Sequence, residues 1–108
     1  MGRVILSNTF STAMLPTVGT LMWAKGLGTN DVPSKVISAV THGPTADLLS
    51  RFLGMEVQQN NAPIQLDRGD ALYVVSPRDP MGRTYRPRYG ERPDDEAVRF
   101  SVMKVEVV

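Results

Sequence analysis

The chain has 108 residues, 42% of them hydrophobic and 21% charged, with a net charge of +1. That balance fits one folded domain with a modest core, and it argues against a disordered chain or a protein that coats nucleic acid by charge alone. Zero cysteines exclude disulfides and thiolate metal sites, and a single histidine leaves too few ligands for a zinc site within one chain. There is no apolar run long enough to span a bilayer and no basic-then-apolar leader after Met1, so the expectation is a cytoplasmic protein with no membrane partner.

Arg3 to Leu6 (R-V-I-L) reads as a buried strand. Phe10, Ala13 and Met14, with Leu15 beside them, have helical spacing; Thr9 or Ser11 caps that turn and Pro16 limits it. Thr20 to Ala24 fits a second strand between Gly19 and Gly26. Thr29 or Asn30 then caps a predicted helix from Asp31 to about Val40, with Pro33 in its first turn.

The apolar residues Val36, Ile37, Ala39 and Val40 lead to Thr41 and His42, where Gly43 and Pro44 break the run and a new helix starts. Ala46, Leu49, Phe52 and Leu53, with Leu48 beside them, form its apolar face, and Gly54 stops it. The one histidine of the chain therefore sits in the turn feeding a helix N-terminus, where unpaired amides and the positive end of the helix dipole favour phosphate. An imidazole beside such a place suggests acid–base chemistry on a phosphodiester.

Ile64 and Leu66 read as a short strand, joined by a D-R-G-D turn (Asp67 to Asp70) to a second at Ala71 to Val75, the two paired antiparallel. Residues 76–97 form a long Arg- and Pro-rich loop, in which Arg78, Arg83, Arg86, Arg88 and Arg92 face only two acids, Asp79 and Glu91, across fifteen residues. Those arginines either pair with neighbouring acids or contact phosphate. Asp94, Asp95 and Glu96 read as a helix start rather than magnesium ligands. Val98, Phe100 and Val102 alternate, as do Met103, Val105 and Val107 in the opposite phase, which requires a bulge or a strand buried on both faces. Met14, Met55, Met81 and Met103 read as core filler. The fold class is α/β: one domain over 1–108, a small mixed sheet of about five strands, flanked by short helices.

Four stretches together resemble a known family: I-L-S-N-T-F-S-T-A-M-L (Ile5 to Leu15), T-H-G-P-T-A-D-L-L-S (Thr41 to Ser50) running on to Gly54, Gln58 to Asn60, and L-Y-V-V-S-P-R (Leu72 to Arg78). The chain resembles the small viral and phage ring nucleases that act as anti-CRISPR proteins against type III systems. The resemblance implies a homodimer that binds cyclic tetraadenylate and cuts it without metal or cofactor, leaving linear products with 2′,3′-cyclic phosphate ends. It implies catalytic roles for His42 and Arg78. It also implies substrate contacts from Asn8, Ser11 and Thr45, and from Asn60 and Asn61 at the end of the Gln-Asn run. The chain departs from the family pattern at three places: Gly43–Pro44 stands where Asp-Ser is usual, Asn61 replaces an arginine, and Met81 replaces an acid. These departures keep a second reading open, a binding protein that sequesters a cyclic oligoadenylate or nucleic acid without cutting, and a third, a structural dimer with a vestigial site.

Overall fold

The computed structural model describes residues 2–15, 22–91 and 97–108. The strands are β1 (Val4–Ser7), β2 (Met22–Leu27), β3 (Ile37–Ser38), β4 (Ala71–Arg78) and β5 (Arg99–Val107); α1 (Gly43–Leu53) is the one α-helix among the described residues. They form a single mixed sheet in the order β2-β5-β4-β1-β3, whose body is the four longer strands, with β3 a two-residue strip at one edge. β1 runs parallel to both β3 and β4, while β5 runs antiparallel to β4 and β2.

Both faces of the sheet are covered, which explains the composition of its central strands. On one face, Leu6, Tyr73, Val75 and Val102 pack under Ala46 and Leu49 of α1 together with Val40 and Val57. On the other, Ile5, Leu72, Val74, Val105 and Val107 pack with Ala39 and Leu66 under Phe10, Met14, Leu15 and Ile64. The phase switch in β5 has the same cause. Its register against β4 is unbroken from Arg99 to Glu106, so there is no bulge, and Val102 feeds one core while Val105 and Val107 feed the other.

Several expectations are corrected. The helix expected from Asp31 to Val40 is absent. A 3-10 turn at Thr29–Asp31 stops before Pro33, and Ile37–Ser38 joins the sheet as β3. Pro disfavours helical backbone at the residue before it, and the β-branched pair Val36–Ile37 suits a strand. The Ile64–Leu66 strand and its hairpin are also absent, because β4 takes β1 and β5 as its partners. Ile64 and Leu66 instead lie in an irregular stretch that covers the second face, where a flanking helix was expected; Leu66 donates its amide to the Met14 carbonyl at 2.7 Å. The N-terminal helical turn is a 3-10 turn at Thr12–Met14. The second strand sits two or three residues later than expected, and Thr20 and the Asp94–Glu96 turn lie outside the described residues. The predicted 76–97 loop begins only after Arg78, since β4 continues through Ser76 and Pro77. Met81, read as core filler, is 79% exposed at a turn. No described helix is long and apolar enough to cross a membrane.

The amino ends of β1 and β4 are tied by Asp70, which is 2% exposed. Its carboxylate accepts from the Arg3 amide (2.8 Å), Arg3 Nη2 (2.7 Å) and Nε (3.2 Å), and the Asp67 amide (2.8 Å). The close turn leaves no room at position 2, where a Cβ would lie 1.8 Å from the Gly69 carbonyl oxygen. Burial pushes the Asp70 carboxyl up, but the hydrogen bonds from Arg3 and from the Asp67 and Arg3 amides outweigh it and hold the group below its ordinary range. A carboxyl depressed on folding contributes stability above its unfolded pKa, and that contribution is lost as pH falls through the folded value. Asp70→Ala strips partners from four donors and is expected to cost about 2–4 kcal/mol. Denaturant unfolding at pH 7 and pH 3 checks this: the difference between wild type and variant should shrink at the lower pH, and a constant difference would contradict it.

Candidate active site

The three parallel strands β3, β1 and β4 share one direction, so their carboxyl ends share one edge of the sheet. Ligands in open α/β sheets sit in the crevice outside such ends. Here β1 ends into Asn8, β4 carries Arg78 at its last position, and β3 leads through Ala39 to Thr41 into His42. The Asn8 carbonyl accepts from Ser76 Oγ (3.1 Å), which binds the end of β1 to β4.

His42 is the N-cap residue of α1, with extended backbone angles (φ −108°, ψ 118°), and its carbonyl accepts the first helical bond from the Ala46 amide at 3.0 Å. The helix ends as the sequence indicates, on Gly54 in the left-handed region (φ 68°). The imidazole does not cap the helix. Its Nδ1 lies 2.8 Å from Thr45 Oγ1, three residues into the first turn, and the Tyr89 ring meets it edge-on at 5.2 Å between centroids. Burial lowers the His42 pKa below 6.5, and the Arg86 charge lowers it further. Both influences favour the neutral imidazole in the free protein.

Gly43 has a specific use here. A Cβ at this position would lie 2.9 Å from Gln59 Oε1, so the Gln59 amide occupies the space that a side chain would need. Gln59 Nε2 donates to the Thr41 carbonyl and to Asn61 Oδ1, both at 3.0 Å. On this side of His42 lies a hollow of about 660 Å³, lined by Gly43, Pro44, Asp47, Arg51, Gln59, Tyr89 and Glu91 among others. A second hollow of about 380 Å³ is lined by Asn8, Thr9, Thr41 and the 62–65 stretch. The Thr41–His42 turn stands between them.

The residues named from the resemblance divide into several groups. Asn8 lines the second hollow, close to Thr41. Ser11 Oγ accepts from the Ala13 amide at 3.2 Å, so it caps the 3-10 turn. Asn60 is a tie: its Nδ2 donates to the Ser38 carbonyl and its amide to the Val40 carbonyl, both at 2.8 Å. Asn61 is exposed and held by Gln59. Thr45 is 1% exposed and bonded to His42. Arg78 donates through Nη1 to Thr84 Oγ1 at 3.2 Å and stands opposite Arg99 in the β4–β5 register.

The turn after β4 is fastened by Asp79, whose carboxylate accepts from the Met81 and Arg83 amides and Arg83 Nε, each at 2.9 Å. Arg83 is thus paired with an acid. Tyr85 donates its hydroxyl to Glu91, and burial together with that carboxylate pushes its pKa up to about 12. Sequence reasoning held Arg86, Tyr89 and Glu91 as members of the long loop and Gln59 as part of the Gln-Asn run, and did not place them beside the His42 turn. No local pattern marks them, because a loop folded back over the helix start brings them in. Among the described residues no group of three or more His, Cys, Asp or Glu side chains is placed to hold a metal ion.

A family model described as STIV B116-like matches residues 5–84. Among solved structures, B116 of Sulfolobus turreted icosahedral virus is similar, with a TM-score of 0.74 at 22% identity, covering 97% of this chain and 99% of that one. At that identity the likeness is one of fold. No protein among those with curated annotation matches. The family match covers the strands β1 to β4, the helix and the His42 turn, and the chain belongs to the STIV B116-like family, named for a viral protein.

Proposed function

We propose that the protein is a metal-independent ring nuclease acting on cyclic tetraadenylate, and so an antagonist of type III CRISPR signalling. The observation that carries this reading is the place of His42: the chain's one imidazole stands on a helix N-terminus, at the carboxyl ends of three parallel strands, with an arginine charge acting on it and with its chain neighbours Gly43 and Thr41 each lining a hollow. The sequence resemblance supplies the substrate.

The step needs no external nucleophile. The ribose 2′-oxygen attacks the adjacent phosphorus, its proton passing to solvent; the bond from phosphorus to the 5′-oxygen breaks; and the leaving oxygen takes a proton from His42. A 2′,3′-cyclic phosphate and a 5′-hydroxyl result. The Nδ1 contact with Thr45 leaves Nε2 as the nitrogen available to substrate. In the free protein burial and the Arg86 charge disfavour the imidazolium. A bound phosphodiester offsets the Arg86 charge and favours protonation, so the acid forms when substrate arrives. Arg86 then neutralises charge developing on the phosphoryl oxygens.

A homodimer completes the proposal. A ring of four equivalent nucleotides has two-fold symmetry, and an isologous pair of subunits presents two His42 side chains to opposite phosphodiesters. A binding protein without turnover is the second reading, favoured by the engagement of Arg78 with Thr84 rather than with the His42 turn.

His42→Ala is expected to lower the cleavage rate of cyclic tetraadenylate by about 10²–10⁴-fold while leaving its affinity within about tenfold. Single-turnover cleavage and equilibrium binding measure the two effects. Near-wild-type cleavage by the variant would remove His42 from the mechanism. The wild-type rate should fall at alkaline pH as the bound imidazolium loses its proton, and the variant's residual rate should lack that limb.

Arg86→Gln removes the cation whose charge lowers the His42 pKa. The His42 pKa of the free protein should therefore rise toward 6.5, while cleavage slows by about tenfold or more. A rise in pKa with an unchanged rate would confine Arg86 to an electrostatic neighbour of the imidazole.

A further inference from the structure

The hydroxyl of Thr45 is the feature of the site that the resemblance misplaces. As a lining residue it would offer its side chain to the cyclic nucleotide. In the structure Thr45 is 1% exposed, within the first turn of α1, and the partner of its Oγ1 is His42 Nδ1 at 2.8 Å. Its enclosure sets the hydroxyl against the imidazole rather than toward a ligand.

We propose that Thr45 is a positioning residue, which fixes the ring orientation and tautomer of His42 so that Nε2, with its proton, faces the substrate. The inference rests on the nuclease reading for its catalytic consequence but not for its chemistry. When the neutral ring carries its proton on Nε2, as the proposal requires, the Thr45 hydroxyl donates to Nδ1. When the ring is protonated, Nδ1–H becomes the donor and the Thr45 oxygen accepts. A hydroxyl serves both states because it carries one proton and two lone pairs; a methyl group serves neither. The charged state gains more from the contact, since a hydrogen bond with an ionised donor is stronger than a neutral one. Thr45 therefore partly opposes the two influences that keep the free imidazole neutral, burial and the Arg86 charge.

The helix start makes this pairing available. His42 as N-cap and Thr45 at the third helical position face one another across the first turn, the relation used by a capping box. Other elements also act on the turn: Arg86 and Tyr89 on the ring from the loop after β4, and Gln59 on the Thr41 carbonyl from the stretch after α1. Of these Arg86 carries charge, and none bonds to Nδ1 in the structure.

Because the chain has one histidine, its ring nitrogens can be observed without ambiguity by ¹⁵N NMR. Thr45→Val keeps the shape and removes the hydroxyl; Thr45→Ser keeps the hydroxyl and removes the methyl. In wild type and Thr45→Ser the neutral ring should show the Nε2–H tautomer. In Thr45→Val the shifts should move toward a mixture of tautomers, and the His42 pKa should fall by roughly half a unit to one unit. With cyclic tetraadenylate, Thr45→Val should lower kcat by about tenfold or more with little change in KM, and Thr45→Ser should restore it. Unchanged nitrogen shifts and pKa in Thr45→Val would overturn the proposal, as would a raised KM with kcat preserved, which marks a substrate contact. If the wild type cleaves nothing, the nuclease reading fails, and the NMR comparison still decides the role of Thr45.

Discussion

The carboxylate of Asp70 is the interaction on which the architecture depends. A sheet that mixes parallel and antiparallel strands must bring β1 and β4 side by side in the same direction, although 63 residues separate Ser7 from Ala71 and no tight turn can impose that pairing. Asp70 does so from the amino ends. It binds the backbone and guanidinium of Arg3, while the adjacent amides engage the chain at Asp67 and Val107. Three strands, β1, β4 and β5, are thereby aligned at one end of the sheet. Burying a carboxylate is costly, and it is tolerated because every donor around it is directed inward.

Alignment at that end leaves the carboxyl ends of β3, β1 and β4 together at the opposite one. The backbone there is irregular, which allows His42, Asn8 and the loop after β4 to converge without disturbing either core. The same local features then serve two purposes. Gly43 starts the helix and admits Gln59; Thr45 lies in the buried first turn and holds the imidazole. Arg86 and Tyr89 reach His42 from a segment more than forty residues away, so the electrostatic state of the histidine reports on how that loop is folded.

The helix, its glycine stop and the histidine turn were legible in the sequence because their signals are local: Gly-Pro at the start, apolar spacing of three and four, and Gly54 at the end. The phase switch in β5 was legible as a pair of alternatives, and burial on both faces is the one observed. The segment from Asp31 to Val40 was misread because helical caps and β-branched residues compete there, and pairing with β1 decided for the strand. D-R-G-D was misread for a similar reason. The turn is real, but Asp70 faces Arg3 from the far end of the chain, a partner no short-range rule supplies. Arginines carry no label in a sequence: Arg83 pairs with Asp79, Arg78 at the end of β4 with Thr84, and Arg86 acts on His42.

Bond breaking by the chain's own side chains, as proposed, leaves its signature in the products. Cyclic tetraadenylate incubated with purified protein in excess EDTA should give, by mass spectrometry, linear adenylates lighter by one water than the 3′-phosphate forms, the signature of 2′,3′-cyclic phosphate ends. A ring recovered intact after prolonged incubation, or products ending in a 5′-phosphate with a free 3′-hydroxyl, would contradict the account.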